Sequence, residues 1–269
     1  MDIKDKSLIL TGACGGIGSE IARVLADAGA HLILVGRNIS KLRALQLSLS
    51  EPSTHQALVA DLNTQQGLDT IHHSCSQWQA DGRAIHGLIN IAGSNRFSSL
   101  LERKSDSIRD EIHLNLTVPI LLSQQALHWM ARPGLIVNIG STFSAIGYPG
   151  YTTYCASKAG LHRFSEALDR ELDGTGIRVL YLAPRATDTT LNSAIVTELN
   201  HHLGNQIDDP RWVANQLLLS LRNETPVRWL GWPEKLWVRV NQILPAAVAG
   251  AIRKQSATIR QFLNKAEVL

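Results

Sequence analysis

The sequence predicts an α/β chain with a doubly wound, parallel, seven-stranded sheet. Three observations carry the prediction. Short apolar runs alternate with longer amphipathic segments along most of the chain, the order expected of βα units. The runs are largely apolar without polar alternation, which fits burial on both faces of the sheet. A glycine-rich stretch, TGACGGIG at residues 11–18, lies between the first strand and the first helix.

The elements follow in order. Residues 7–10 form the first strand. Residues 19–28 form a helix, with Ile21, Ala22, Leu25 and Ala28 on one face and Gly29 as its stop. Residues 31–35 and 40–49 are the next strand and helix, and 57–60 and 68–79 the third pair. The fourth strand, 87–91, leads to a long helix over 108–130. Strands at 135–139, 178–182 and 227–231 complete the seven, with helices over 151–172 and 210–221 between them. No repeat, low-complexity stretch or linker precedes residue 231. Residues 1–232 therefore read as one domain and 233–269 as a C-terminal helical extension.

Composition narrows the function. The 269 residues are 44% hydrophobic and carry a formal charge of +3, too little to argue for nucleic acid. Cys14, Cys75 and Cys155 are widely spaced, which fits neither a disulfide framework nor a metal site. The N-terminus MDIKDK places charges where a signal peptide needs apolar residues. No apolar run reaches membrane-spanning length. A cytoplasmic location is the expectation.

The glycine stretch has a chemical use. Gly12, Gly16 and Gly18, with Ile17 between the last two, follow a strand and open a helix. That context is a dinucleotide site, the Rossmann arrangement. Glycines let the backbone approach a pyrophosphate, and the helix N-terminus offers free N–H groups and a positive dipole end. Cys14 reads as a small filler in this loop.

Further motifs follow in a fixed order. ADL holds Asp61 and Leu62. NIAG holds Asn90, Ala92 and Gly93, with Ile91 as a departure. HLNLT carries Asn115, VNIGS ends on Ser141, and YCASK sets Tyr154 four residues before Lys158. APRATDT holds Pro184, Thr187 and Thr189. Over about residues 5–232 this ordered set resembles the short-chain dehydrogenase/reductase family. Arg185 stands where that family's pattern has glycine.

The resemblance implies a catalytic set of Asn115, Ser141, Tyr154 and Lys158. It implies that Asp61 and Leu62 face the adenine. Asn90, Ala92, Gly93, Pro184, Thr187 and Thr189 would line the rest of the dinucleotide. Residues four apart on a helix share a face, so a Lys158 ammonium is expected to lower the phenol pKa of Tyr154. Ser141 would hold the substrate oxygen, with Thr142 as a competing hydroxyl. Asn115 would support a water in a proton relay to Lys158. Relatives are homodimers or homotetramers through the helices bearing Asn115 and Tyr154.

The second strand ends in Gly36-Arg37-Asn38, without an acid. An acid there would bond a ribose 2′-hydroxyl; an arginine accommodates a 2′-phosphate. NADP (NADPH) is the expected cofactor, although the glycine loop carries no second base. No metal is expected.

From Arg222 onward eight basic residues face three acidic ones, a surplus of five charges. Two amphipathic helices separated by Pro245 are expected. The first would present Leu236, Val240, Ile243 and Leu244; the second Val248, Ala251, Ile252, Ile259 and Phe262. Three readings compete: packing on the body or a partner subunit, contact with a membrane surface aided by Trp229, Trp232 and Trp237, and a cap over the substrate cleft. Arg185 could hold a substrate anion, or pair with Asp188 or Glu198. Residues 189–204 are expected to form a substrate lid. Phe97, Phe143, Ile146 and Tyr148 are expected in an apolar pocket. The expected activity is hydride transfer between NADP(H) and an apolar carbonyl or alcohol, reduction favoured. The alternatives are an NADP-binding sensor or scaffold without turnover, and a membrane-surface lipid or acyl ketoreductase.

Overall fold

Seven strands form one parallel sheet in the computed structural model, which describes residues 1–268. They are β1 (Ser7–Thr11), β2 (His31–Gly36), β3 (Gln56–Val59), β4 (Ile85–Asn90), β5 (Met130–Ile139), β6 (Ile177–Ala183) and β7 (Val227–Trp229). Their spatial order is β3-β2-β1-β4-β5-β6-β7. The chain therefore winds outward from β1 to β3, then returns to begin the other half at β4. The ends of β1 and β4 part at the centre, where open α/β sheets hold ligands.

Alternate strand residues point to opposite faces, and each face has its own core. Leu8 and Leu10 of β1 pack with Ile21 and Leu25 of α1 (Gly16–Asp27) and Val213 and Leu217 of α8 (Pro210–Asn223). Ile9 joins the other core, with Ile71 of α3 (Gln65–Ala80), Leu122 and Trp129 of α5 (Val118–Trp129) and Leu168 of α6 (Thr152–Glu171). This two-sided burial is why the strands lack polar alternation. The short α2 (Ile39–Leu47) begins where Asn38 Oδ1 accepts from the Lys41 N–H at 3.0 Å, an N-cap.

The long helix expected over 108–130 is interrupted. It consists of α4 (Ser105–Ile112), a wide π turn at His113–Thr117, and α5. Pro119 gives the reason. It has no N–H for the carbonyl four residues back, that of Asn115, so a regular α ladder cannot cross this point. In the π turn the Val118 N–H reaches back to the His113 carbonyl instead.

After β7 come α9 (Glu234–Ile243) and α10 (Pro245–Val268), with α7 (Ala194–His202) against α10. Ile259, Phe262 and Leu263 of α10 pack on Val196 and Leu199 of α7 and on Phe97, Tyr151 and Cys155. The expected face of α9 is wrong: Val238 is its buried residue, while Leu236, Ile243 and Leu244 are exposed. On α10, Val248 is buried as expected, but Ala251 is exposed. Trp229 packs on His162 and Tyr181 and does not join the exposed Trp232 and Trp237. Among the described residues no helix is long and apolar enough to cross a membrane.

Candidate active site

A cleft of about 970 Å³ runs along the carboxyl ends of the strands. Its floor is the glycine loop, and each signature glycine is required by a close approach. Gly12 has φ +61°, and a Cβ there would lie 2.8 Å from the Ala92 Cα. A Cβ on Gly18 would lie 2.3 Å from the Gly12 carbonyl oxygen, and one on Gly16 would lie 2.6 Å from Thr189 Cγ2. The Thr11 hydroxyl ties β1 to β4: it accepts from the Ile91 and Ala92 N–H groups at 3.1 and 3.3 Å and donates to the Ile89 carbonyl. Backbone and a helix N-terminus thus lie bare toward the cleft, a surface suited to a pyrophosphate.

The two ends of this surface differ in charge. Arg37 lies exposed after β2, and Lys41 lines the cleft one helical turn later. Burial raises the Cys14 thiol pKa, and the Lys41 charge opposes it, which sets that ammonium near the glycine loop. Lys41 is a second base outside the glycine loop, in the first turn of α2, whereas Arg37 precedes the N-cap Asn38. Two cations and no acid at this strand end fit a 2′-phosphate. Asp61 and Leu62 line the cleft just after β3, the strand paired with β2, and the Asp61 carboxylate accepts from the Asn63 N–H at 3.1 Å.

Beyond the floor stand the reactive side chains. Ser141 follows β5, its hydroxyl accepting from the Phe143 N–H at 3.2 Å. Tyr154 and Lys158 stand one turn apart on α6, and all three line the cleft. Lys158 is only 6% exposed and donates to the Ile139 carbonyl at 3.0 Å, its Nζ 5.8 Å from the Tyr154 ring centre. Burial pulls the Lys158 pKa down to about 8. Burial pushes the Tyr154 phenol up to about 12, with the Ser141 side chain pulling the other way. The expected lowering of the phenol by Lys158 is therefore not found. Both groups are withdrawn from water, and the ammonium is aimed at a carbonyl.

Asn115 is fully buried behind this set. Its Oδ1 accepts from the Ser94 N–H at 2.9 Å, and its Nδ2 donates to the Ser94 carbonyl at 2.7 Å. A Cβ on Gly93 would lie 2.8 Å from Asn115 Oδ1 and 3.7 Å from Lys158 Nζ, so the two side chains flank that glycine. Asn115 anchors the loop after β4 and does not line the cleft.

The family model for short chain dehydrogenase matches residues 6–200. The chain belongs to the short-chain dehydrogenase family. It is an oxidoreductase of that family. The 3-oxoacyl-(acyl-carrier-protein) reductase FabG of Vibrio harveyi is 31% identical over 227 residues, covering 81% of this chain and 90% of that one. A Sphingobium yanoikuyae short-chain dehydrogenase solved with NADPH is 26% identical, with a TM-score of 0.73, over 94% of this chain and 95% of that one. A Burkholderia cenocepacia short-chain dehydrogenase solved with NADP is 24% identical, with a TM-score of 0.77, over 87% of this chain and 100% of that one.

In this dehydrogenase most expected cofactor residues line the cleft: Gly12, Gly16, Ile17, Gly18, Arg37, Asp61, Leu62, Ala92, Gly93, Pro184, Thr187 and Thr189. Asn90 does not. Its amide donates to Asn138 Oδ1 at 2.9 Å, and Asn138 donates to the Ser165 hydroxyl, a buried chain joining β4, β5 and α6. Asn90 is a buried amide bonded across the sheet through its Nδ2, while its Oδ1 has no partner. The Thr187 hydroxyl donates to the Arg185 carbonyl at 3.0 Å.

Arg185 is not free for a substrate anion, nor does it pair with Asp188 or Glu198. It makes a two-pronged pair with Asp208 at 3.0 and 2.8 Å, and a third bond to Glu234 of α9 at 2.9 Å. These partners raise its pKa, the Asp208 hydrogen bond most. Glu198 pairs instead with Lys265 at 3.2 Å. Phe143, Ile146 and Tyr148 line the cleft as expected, Phe143 and Tyr148 stacked at 5.1 Å. Phe97 is core beneath α10. The stretch 189–204 supplies Leu191, Asn192, Val196, Leu199 and Asn200 to the wall. Thr142, the rival hydroxyl, is buried, its N–H bonded to the Pro184 carbonyl. Among the described residues no metal-ligating cluster occurs.

Proposed function

We propose that this dehydrogenase is an NADPH-dependent ketoreductase acting on an apolar carbonyl compound, with Tyr154 as the general acid. One observation carries the reading. Tyr154, Ser141 and Lys158 line one cleft beyond the glycine loop, so a phenol, which keeps its proton at neutral pH, stands where it can give that proton to a carbonyl oxygen. NADPH, when bound, supplies the hydride that the carbonyl carbon gains.

This chain's residues do the rest. Gly12, Gly16 and Gly18 admit the pyrophosphate, and Arg37 with Lys41 holds the 2′-phosphate. Ser141 bonds the substrate oxygen and stabilises the negative charge that develops on it. Tyr154 gives its proton to that oxygen, which leaves as an alcohol. Lys158 places an ammonium 5.8 Å from the phenol ring centre, held at the Ile139 carbonyl, and Asn115 positions the loop that flanks it. The likeness to a 3-oxoacyl reductase supports a ketone as the oxidised partner. In this reading residues 1–232 form the catalytic body and 233–269 its cover.

The test is NADPH consumption over ketones, steroids, sugars and acyl thioesters. Tyr154→Phe should lower kcat by on the order of a thousandfold while NADPH binding persists. Full turnover by Tyr154→Phe would remove the phenol from the mechanism. NADPH binding without consumption of any substrate class would favour a sensor.

A further inference from the structure

Past the reactive side chains the cleft is lined in part by residues that the family match does not cover. The match ends at residue 200. Pro233, Glu234, Trp237, Val248, Ala251, Ile252 and Gln255 of the extension all line the cleft. Leu191 and, from α7, Val196 and Leu199 line the same cleft, so α7, α9 and α10 all contribute to its wall.

The cover is fixed at four points. Arg185 bonds Glu234; Asn241 Nδ2 donates to the Ala145 carbonyl at 2.7 Å; Lys265 pairs with Glu198; and Ile259, Phe262 and Leu263 pack on α7. Asn241 thereby ties α9 to the turn that follows Ser141.

The charges in the cleft are equally informative. Arg37, Lys41 and Asp61 stand at the dinucleotide end, and Lys158 is bonded to Ile139. The remaining charged lining residues, Arg185 and Glu234, are bonded to each other, and Arg185 is also held by Asp208, so the cluster has no positive charge to spare for an anion. The outer rim is neutral amide: Asn200, Asn205, Gln206 and Gln255. Among the described lining residues none offers an unpaired charge to the substrate half. An anion there would be desolvated without a partner, at a cost that bound apolar surface does not recover.

We infer that α7, α9 and α10 form the substrate chamber, and that it selects uncharged ketones with an extended apolar body. Val248 and Ile252 of α10 and Trp237 of α9 are its specificity-determining residues, limiting how long that body can be. This inference rests on the ketoreductase reading.

Two measurements separate the inference from its foundation. The first is binding of methyl ketones, from butanone to dodecanone, and of the same ketones ending in a carboxylate, to the full chain with NADPH, by calorimetry. The second is kcat/KM for the same series. Neutral long ketones should bind best, and a terminal carboxylate should weaken binding by about tenfold or more. Ile252→Trp should cost long ketones about tenfold or more, mostly in KM, and leave butanone and NADPH binding within about twofold. Trp237→Ala should shift the optimum to longer chains, which guards against a folding defect in the first variant. Equal losses at all lengths, or carboxylates bound as well as neutral ketones, would overturn the chamber. Selective binding without NADPH oxidation would uphold the chamber and defeat the ketoreductase reading.

Discussion

Lys158→Met is expected to make the protein more stable at neutral pH while abolishing turnover. Burial holds the Lys158 pKa at about 8, against 10.5 for the exposed group. That difference corresponds to about 3 kcal/mol spent keeping the ammonium out of water. Methionine fills nearly the same volume without the charge. The loss is the bond to the Ile139 carbonyl, which costs about 1–2 kcal/mol when its acceptor stays buried. The net gain at neutral pH is about 1–2 kcal/mol. The sign of the pH dependence is fixed by which state holds the extra proton. Between pH 8 and 10.5 the unfolded chain keeps the Lys158 proton and the native chain releases it, so wild-type stability from this group rises with pH. It rises by about 3 kcal/mol across the window. The variant lacks the rise. The two stability curves should therefore cross, with the wild type the more stable at the alkaline end. Urea titrations of both proteins at steps from neutral pH to pH 10.5 measure this directly, and contributions common to both cancel. Parallel curves, or a variant destabilised throughout, would refute the claim that Lys158 is held by burial at a cost to the fold.

Three further outcomes follow from the site. Arg37→Ala and Lys41→Ala should each weaken NADPH binding by about tenfold and leave NADH binding unchanged, read by fluorescence titration with both cofactors. Arg185→Leu leaves the Asp208 carboxylate buried without its two-pronged partner and should cost about 3 kcal/mol in urea unfolding, with faster proteolysis near residues 233–244; Arg185→Lys, lacking the fork, should recover only part of this. Gly12→Ala meets both a positive φ and the Ala92 backbone at 2.8 Å, whereas Gly82→Ala meets φ +79° and nothing within 4 Å. Gly12→Ala should therefore abolish NADPH binding and cost about 3 kcal/mol, and Gly82→Ala only about 1 kcal/mol, by calorimetry and thermal melting.

The strands and the reactive residues were legible because their signals are local. A short, largely apolar run bounded by turn residues and alternating with amphipathic segments reads as a strand buried on both faces. A spacing of four puts Tyr154 and Lys158 on one helix face wherever the helix lies. Lys41 was not legible by that rule: Arg37 precedes the N-cap Asn38, and only the placement of α2 beside the cleft brings the two cations to one strand end. Pro119 marked the break in the long helix, since a proline four residues after Asn115 removes the donor for its carbonyl. The apolar periodicity on both sides hid that mark.

What was not legible depends on closure in three dimensions. Arg185 meets Asp208 and Glu234 at separations of 23 and 49 residues, and no pattern along the chain distinguishes those carboxylates from Asp188 or Glu198. The sign of Tyr154's shift has the same origin. The spacing says that an ammonium is near, but not that water has been excluded from both groups or that the ammonium faces the Ile139 carbonyl. Desolvation is a property of everything packed around the pair, including Phe143 and Tyr151, whose rings lie 6.5 and 6.0 Å from that of Tyr154. Tyr151 in turn shares its cluster with Ile259, Phe262 and Leu263 of α10. The extension that looked in sequence like an appendage thus packs on the aromatic wall that borders Tyr154, a contact that no spacing along the chain could have signalled.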